Sequence, residues 1–248
     1  MHRIFSEETI LQAQQKWNNG QSFRSIGRDL NIHHSVISYW QKKKWLKAKI
    51  VDVDKDSESY KNAYSYILGL YLGDGYINAT SRAYRLRITL DEKYPTVIEQ
   101  CKLALEILLP NNKVSIINKN GCKDVSIYSN KLLELFPQHG LGYKSNRDVG
   151  LLEWQLKILD DISFIRGLMH SDGCRYINKV ADIHYVNYSF ANTSRHISAS
   201  LCWALRRQKI YFTIVHRKLK ENLKPVTVIY IRRKQDVIKL DNIGCKKD

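Results

Sequence analysis

Two stretches of the sequence share one pattern, and this internal repeat limits the folds open to the chain more than any other feature. The first stretch, residues 66–77, reads YILGLYLGDGYI, and the second, residues 164–176, reads FIRGLMHSDGCRY. They align without a gap, and the aspartates at positions 74 and 172 lie 98 residues apart. Each copy has the composition of an apolar helix that ends at Asp-Gly. The repeat therefore predicts a body made of two similar halves.

Both copies place a glycine in the middle of the helix and an aspartate at its end. Gly69 and Gly167 each cost a helix about 1 kcal/mol relative to alanine, which indicates that another helix approaches closely. Asp74 and Asp172 fall at helix C-termini, where the helix dipole disfavours a carboxylate. An acid repeated at an unfavourable position indicates a function, most simply the binding of a divalent cation.

After each copy the sequence changes from helical to strand periodicity. Polar and apolar residues alternate over Arg85–Leu90 and again over Tyr185–Phe190, which is the pattern of a half-buried strand. In each half a helix follows, and then two more strands. In the first half the predicted helix covers 95–109, the later strands cover 113–118 and 124–128, and a further helix covers 131–136. In the second half the predicted helix covers 196–208 and the later strands cover 212–218 and 226–232. Each half is thus predicted as αββαββ, and the fold class as α+β.

The first fifty residues predict a separate all-α module. Ser6 is predicted to cap a helix that ends at Gly20, Ser22 is predicted to cap a second helix over 23–30, and a third helix runs over 34–44. The segment QSFRSIGRDLNIHHSVISYWQKKKW resembles a helix-turn-helix, whose third helix enters the major groove. The residues expected to face bases are His34, Ser35, Ser38 and Tyr39, and those expected on phosphates are Lys42, Lys43 and Lys44. A three-helix protein-interaction domain is the alternative.

The charge of the chain indicates the class of partner. There are 40 lysine and arginine residues against 24 aspartate and glutamate residues, a net charge of +16. Residues 1–50 carry +6 of this charge, while the acidic stretch 51–60 carries −3 and predicts a linker. So large a positive excess calls for a polyanionic partner, and nucleic acid is the first candidate.

Other features exclude whole classes of protein. No run of about 18 apolar residues predicts a membrane span, and the first ten residues lack the apolar segment of a secretory signal. The five cysteines are scattered, without a Cys-x-x-Cys pair or zinc spacing, as is typical of a reducing compartment. We therefore expect a cytoplasmic, nucleoid-associated protein of a bacterium or phage, with an organelle as the alternative.

Taken together, the two copies and the half-domain pattern resemble the LAGLIDADG homing endonucleases in their single-chain, two-repeat form with an N-terminal helix-turn-helix. The resemblance covers residues 60–240 and extends to the segments FPQHGLGYK and SFANTS. It implies a tandem αββαββ domain with pseudo-two-fold symmetry and two antiparallel DNA-binding saddles. The implied divisions are a helix-turn-helix domain at 1–50, a linker at 51–60, a first repeat at 61–150 and a second repeat at 151–248.

The resemblance also implies how the two acids act. Asp74 and Asp172 would coordinate Mg²⁺ or Mn²⁺ between the scissile phosphates, together with the backbone carbonyls of Gly73 and Ser171. A hard cation of this kind lowers the pKa of a water molecule and neutralises the charge that develops on the phosphate. The third-from-last residue of the motif, often Asp in the family but not a metal ligand there, is Leu72 in one copy and His170 in the other.

Further catalytic roles follow from the same resemblance. Lys144 matches a basic residue near the family's active site, where it stabilises charge or helps to activate water; an ordinary solvated lysine is the alternative. Lys246 or Lys247 would be its counterpart in the second half. Asp91 and Asn192, at the ends of the second strands, are expected to order water.

The polar faces of the two saddles are expected to read DNA. The candidates in the first half are Asn78, Thr80, Arg82, Arg85, Arg87 and Thr89. The candidates in the second half are Tyr176, Asn178, Asn187, Ser189, Arg217 and Arg232. Arginine can bond guanine and asparagine can bond adenine in the major groove, whereas contacts with phosphate or solvent are the alternative for each residue.

The function expected from these features is site-specific, metal-dependent hydrolysis of double-stranded DNA, one phosphodiester per strand, by a monomeric homing endonuclease of a mobile element. Two alternatives remain open at this point. One is a transcription regulator that binds DNA on the same scaffold without cutting, and the other is a maturase that binds intron RNA. Retention of both motif acids favours the nuclease.

Overall fold

The computed structural model describes residues 7–48, 54–218 and 224–245. The chain forms two compact units, Met1–Asp52 and Val53–Asp248. Within the described ranges, no helix is long and apolar enough to cross a membrane.

The first unit contains the three predicted helices, α1 (Glu7–Asn18), α2 (Phe23–Asp29) and α3 (His34–Ala48). Ser22 caps α2, because its hydroxyl accepts a hydrogen bond from the backbone N–H of Ser25 at 3.2 Å. Ser6, the predicted cap of α1, lies outside the described residues. Four apolar side chains, Ala13, Ile26, Ile32 and Ile37, form the core. Helix α3 continues four residues beyond the predicted end at position 44.

The turn between α2 and α3 is tight because two positions allow it. Asn31 has a φ of 53°, in the left-handed region that asparagine tolerates better than most residues. Gly27 faces the turn, and a Cβ there would lie 2.5 Å from the carbonyl oxygen of Ile32. A side chain at position 27 would therefore push α2 away from the turn.

The second unit repeats one arrangement twice. The first half contains α4 (Glu58–Asp74), β1 (Gly75–Ala79), β2 (Tyr84–Asp91), α5 (Pro95–Leu108), β3 (Val114–Lys119), β4 (Cys122–Ser129) and α6 (Leu132–Leu135). The second half contains α7 (Glu153–Ile158), α8 (Asp161–Asp172), β5 (Gly173–Val180), β6 (Ile183–Asn192), α9 (Arg195–Arg207), β7 (Thr213–Arg217), β8 (Val226–Ile231) and α10 (Lys234–Asn242). The αββαββ prediction is confirmed in both halves, whereas α7 and α10 were not predicted.

Each half contributes one four-stranded antiparallel sheet, with strand orders β1-β2-β4-β3 and β5-β6-β8-β7. One face of β2 is apolar, and Leu86, Ile88 and Leu90 are all buried. The opposite face carries Arg85 and Arg87, as the alternation of the sequence predicted.

One predicted boundary is wrong. Residues 58–60 belong to α4 rather than to a linker, because the hydroxyl of Ser57 caps the helix by accepting from the N–H of Tyr60 at 3.3 Å. The side chain of Tyr60 is only 4% exposed and joins the core. Of the predicted linker, residues 51–53 lie outside the described part of the chain.

Helices α4 and α8 pack side by side in the centre of the unit, and glycine sets their separation. A Cβ on Gly69 would lie 2.7 Å from both the backbone nitrogen of Leu168 and the carbonyl oxygen of Phe164. A Cβ on Gly167 would overlap the carbonyl oxygen of Tyr66. The close approach of the two repeat helices, which the sequence predicted from these glycines, is therefore confirmed.

Candidate functional site

The two motif aspartates occupy equivalent places. Asp74 is the last residue of α4 and Asp172 is the last residue of α8, so both lie at helix C-termini as predicted. Each is followed by a glycine at which the chain turns from helix to strand. A Cβ on Gly75 would lie 2.5 Å from the Cα of Tyr71, and one on Gly173 would lie 2.7 Å from the Cα of Met169. Glycine is thus a steric requirement at the sharp exit from each helix, directly after the aspartate.

The ends of the two helices meet. A Cβ on Gly73 would overlap the side chain of Ser171 and would lie 3.0 Å from Oδ2 of Asp172. The same Oδ2 accepts a hydrogen bond from Nδ2 of Asn192 at 2.8 Å. The end of α4 therefore touches the acid of the other half, and the end of β6 holds that acid in place.

Lys144 lies against the C-terminal turn of α4. Its ammonium donates to the backbone carbonyls of Tyr71, Leu72 and Gly73, the last two at 3.0 and 3.1 Å. Burial lowers the pKa of Lys144 to about 8, although the carboxylates of Asp74 and Asp172 act to raise it. The predicted alternative of an ordinary solvated lysine is therefore wrong for this structure. Lys246 and Lys247, its predicted counterparts, lie outside the described residues.

Two clefts adjoin the helix ends. One is lined by Asp74, Asp91 and Ser171, and the other by Gly73, Lys144 and Asn192. The structure thus brings Asp91 to the cleft of the first acid, while Asn192 bonds the second acid. Both predicted water-ordering residues lie beside the acid of their own half.

The groups around these clefts fit a hard cation. They are carboxylates, backbone carbonyls and an amide, which are the oxygen donors that Mg²⁺ and Mn²⁺ accept. No cluster of three or more His, Cys, Asp or Glu side chains suited to a metal occurs within the ranges that the structure describes.

His170, the departure from the family motif, has a structural role. It is 4% exposed, and its Nε2 lies 2.7 Å from the carbonyl oxygen of Gly244. A carbonyl can only accept, so Nε2 carries a hydrogen, and Nδ1 shares a hydrogen bond with the hydroxyl of Tyr66 at 2.8 Å. The imidazole therefore connects α8 to α4 and to the turn after α10. No local sequence pattern predicted this role.

The polar residues predicted for the first sheet lie together on one face of it. Strand pairing places Asn78 opposite Arg85 and places Tyr76 opposite Arg87, so these residues share one face. The guanidinium of Arg85 lies 5.7 Å from the ring centre of Tyr128, and that of Arg87 lies 5.9 Å from that of Tyr76. Thr80 and Arg82 are exposed at the β1–β2 turn, where the hydroxyl of Thr80 donates to the carbonyl of Ala83 at 2.6 Å.

A buried acid that no local sequence pattern singles out organises this face. Asp124 is 1% exposed, and it accepts from Lys119 at 2.5 Å and from the hydroxyl of Thr89 at 2.7 Å. Arg87 lies 3.9 Å from it. Burial alone would raise the pKa of Asp124, but these hydrogen bonds and the nearby positive charges outweigh it and lower the pKa. One carboxylate thus orients side chains from β2 and β3.

The second sheet differs from the prediction at one position. Pairing places Tyr176 opposite Asn187 and places Asn178 opposite Tyr185. Asn187 lies on the predicted face but is only 4% exposed, because neighbouring side chains cover it. Asn178 is exposed, and Tyr176 and Ser189 are half-buried. Asn187 is therefore not presented to a ligand in this structure.

Two predicted arginines of the second sheet share one partner. Arg217 donates to the hydroxyl of Tyr230 at 2.5 Å, and the guanidinium of Arg232 lies 4.3 Å from the ring centre of the same tyrosine. The side chain of Tyr230 therefore contacts both guanidinium groups. Tyr230 could not be singled out from sequence, because its strand alternation alone does not reveal its partners.

The predicted reading residues of the first unit lie on α3. Tyr39 is 57% exposed, Lys42 is exposed and Ser38 is half-buried. The hydroxyl of Ser35 lies 2.7 Å from Nδ1 of His33. The side chains of Lys43 and Lys44 are not among those that the structure describes.

Solved structures of the homing endonuclease I-DmoI share this fold. A structure of its mesophilic variants covers 76% of this chain and 98% of its own length, with 17% identity and a TM-score of 0.51. The complex of I-DmoI with DNA and Mn covers 74% and 97%, with 18% identity and a TM-score of 0.51. The N-terminal LAGLIDADG domain of WhiA covers 82% and 90%, with 17% identity and a TM-score of 0.48. No family model and no curated protein matches this sequence.

The similarity to the I-DmoI structures confirms the predicted fold class. The second unit has the fold of a tandem LAGLIDADG domain, with one repeat helix and one four-stranded antiparallel sheet in each half, and its structural neighbours are LAGLIDADG homing endonucleases. At 17–18% identity the likeness concerns the fold.

Proposed function

We propose that this protein is a sequence-specific endonuclease that hydrolyses one phosphodiester in each strand of double-stranded DNA with Mg²⁺ or Mn²⁺. The observation that carries the proposal is the meeting of two acid-bearing helix ends. Asp172 lies against Gly73 at the end of the other repeat helix, and an oxygen-rich cleft adjoins Asp74. A protein that only binds DNA would need neither acid at a helix C-terminus, where the dipole disfavours it.

The residues of the candidate site would have different roles in the reaction. Asp74, Asp172 and the carbonyls of Gly73 and Ser171 would hold the cation, which supplies a more acidic water and neutralises phosphate charge. Asn192 keeps the carboxylate of Asp172 in one orientation through its 2.8 Å hydrogen bond. Asp91, which lines the cleft of Asp74, would accept a hydrogen bond from water there.

Lys144 would serve the reaction as a fixed positive charge. All three hydrogens of an ammonium are used when it donates to the three carbonyls at the end of α4. A cation so held favours negative charge that develops nearby. Its pKa of about 8 leaves it mostly protonated at neutral pH.

DNA would lie across the polar faces of both sheets. The net charge of +16 supports binding to a polyanion, and Arg85 and Arg87 stand on one such face. The solved complex of I-DmoI contains DNA and Mn, which supports the same partner and a divalent metal here. The first unit would add base contacts through α3, and one chain would suffice because it carries both acids.

Cleavage of a plasmid library with randomised sites tests the proposal. In Mg²⁺ the protein should linearise the subset of plasmids that contain its site. Asp74→Asn and Asp172→Asn should each abolish double-strand cleavage and leave DNA binding intact. Asp56→Asn is the matched control, because the side chain of Asp56 is 96% exposed and lies before α4. Full cleavage by the Asp74→Asn, Asp172→Asn double variant would contradict the proposal.

A further inference from the structure

One groove of the second unit lies outside the residues assigned above. It has a volume of about 1070 Å³ and lies between the segment 145–148, the first turns of α9 and the β7–β8 hairpin. None of the residues predicted to read DNA lines it. Its lining is strongly basic, with Arg147, Arg195, Arg206 and Lys224 as permanent cations and His196 and His216 beside them.

Acidic groups do not balance these cations. Among the residues that the structure describes, none of the four permanent cations forms an ion pair with a carboxylate. Asp148 is the single acid in the described lining, and its Oδ1 lies 3.1 Å from Nδ1 of His196. Lys224 instead donates to the carbonyl of Ser145 at 2.8 Å and to the side chain of Asn146. The groove therefore keeps a positive charge that an anion would neutralise.

Two polar atoms of the lining residues are buried without hydrogen-bond partners among the residues that the structure describes. The hydroxyl of Ser198 and Nε of Arg147 are buried, and neither has a hydrogen-bond partner within the described residues. Both residues line the groove. Because both atoms have almost no accessible surface, an anion in the groove would meet the exposed cations of the lining and not these two atoms. The first turn of the 13-residue helix α9 also lines the groove, and its positive dipole end favours an anion there.

The position of the groove indicates which anion it takes. It shares Ser145, Arg147 and Thr193 with the cleft that Lys144 and Asn192 line, and Asn192 bonds Asp172. A DNA strand carries one phosphate for about every 3.4 Å along the helix axis. A strand with a phosphate at Asp172 can therefore place its next phosphates in this groove.

We propose that the groove binds backbone phosphates of the DNA strand that is cut at Asp172, on one side of the scissile bond. This inference rests on the proposed function, because it takes DNA as the ligand. The contacts are with phosphate, so they carry no sequence information and hold the strand in register.

Salt-dependent binding to a random-sequence DNA duplex, measured by fluorescence anisotropy, tests the groove without knowledge of the target site. The variant combines Arg195→Gln with Lys224→Gln, two exposed residues of the groove. The control combines Lys102→Gln on α5 with Lys157→Gln on α7, two lysines outside the groove that pair with Glu99 and Glu153 of their own helices. The groove variant should bind DNA on the order of tenfold more weakly than wild type. The magnitude of its slope of log K against log salt should be smaller by about 1.8, because each of the two lost phosphate contacts contributes about 0.9. The control should keep the wild-type slope.

Three other results would overturn the proposal. Equal slopes for the groove variant and wild type would show that the groove binds no phosphate of DNA. A loss confined to an RNA duplex would assign the groove to RNA instead. A loss of inorganic phosphate binding with unchanged DNA binding would assign it to a free anion. If wild type binds and cuts DNA and the groove variant has the same salt dependence of binding, only the inference about the groove fails. If wild type binds no DNA, the proposed function fails as well.

Discussion

The ammonium of Lys144 donates a hydrogen bond to the carbonyl oxygen of Gly73 across 3.1 Å, and this bond joins the segment after the first sheet to the end of α4. The C-terminal carbonyls of a helix have no partners within the helix, and here one lysine satisfies three of them. The same contact places a cation close to both motif acids. Helix capping and the electrostatics of the candidate site therefore depend on one side chain.

The pKa of Lys144 should report the charge of both acids. Since Asp74 and Asp172 raise the pKa of Lys144 against the effect of burial, Asp74→Asn and Asp172→Asn should each lower it below about 8. NMR titration of lysine labelled at Cε, on the metal-free protein, measures the change. Asp56→Asn should leave the pKa as it is, and a wild-type titration near 10.5 would contradict the structure.

Stability should also depend on this lysine at alkaline pH. The pKa of Lys144 is about 8 in the fold and returns to 10.5 in the unfolded chain, so the unfolded chain binds more protons between these values. Its contribution to the free energy of unfolding should therefore rise with pH across that window. Lys144→Met should lack this rise. Urea unfolding at a series of pH values, with wild type in parallel, checks the difference.

Gly69→Ala should destabilise the second unit, although alanine favours helices. The added methyl would meet backbone atoms of α8 at 2.7 Å, and overpacking of this kind costs about 1–3 kcal/mol, more than the gain of about 1 kcal/mol in helix propensity. Thermal unfolding measures the loss. Gly150→Ala is the control, because its Cβ would meet mainly a flexible side chain, that of Asp148, at 3.1 Å. Equal stability of both variants would contradict the packing.

Asn192→Ala should uncouple the two strand cleavages. Asn192 bonds Asp172, whereas Asp74 adjoins a different cleft, so only one strand should be affected. Loss of such a supporting bond typically costs about 10- to 100-fold in activity, and nicked plasmid should accumulate before linear product. Asp56→Asn, an exposed change before α4, should leave the ratio of nicked to linear product unaltered. Equal slowing of both cuts by Asn192→Ala would refute this division of labour.

Asp124→Asn should weaken the first sheet in a pH-dependent way. Hydrogen bonds to charged groups contribute about 1.5–3 kcal/mol, and the variant loses the charged acceptor for Lys119 and Thr89. Because the pKa of Asp124 is lowered in the fold, its stabilisation is present above the ordinary aspartate value and is lost as the pH falls through the lowered one. The stability gap between variant and wild type should therefore close in acid. A constant gap, measured by urea unfolding, would argue against the ion pairs.

The features that sequence predicted are those that neighbouring residues encode. Alternation over Arg85–Leu90 predicted β2, and helical spacing around Ile26 and Ile37 predicted α2 and α3. The glycines at 69 and 167 predicted close helix packing, because a missing side chain in a helix needs a reason. These patterns depend on periodicity and sterics within a few residues, so they can be read without knowledge of the fold.

The features that sequence missed depend on partners far along the chain. Asp124 looks like any acid in a strand until register places it opposite Thr89. His170 looks like a motif departure until Tyr66 and Gly244 meet it. Asn187 follows the polar–apolar alternation of its strand, yet it is buried in the structure. In each case the environment comes from a strand or helix that local periodicity does not identify.

By itself, the sequence determined the two-fold repetition, the αββαββ order in each half, the three N-terminal helices and the pair of acids at helix ends. These follow from hydrophobic period, turn chemistry and the Asp-Gly exit, all of which act over short distances. Only the tertiary structure decided that Asp172 meets Gly73, that Lys144 caps α4 beside both acids, and that a basic groove opens next to Asn192. Those relationships arise when helices and sheets from separate parts of the chain pack together, because burial and electrostatics depend on distances in space and not on spacing in sequence.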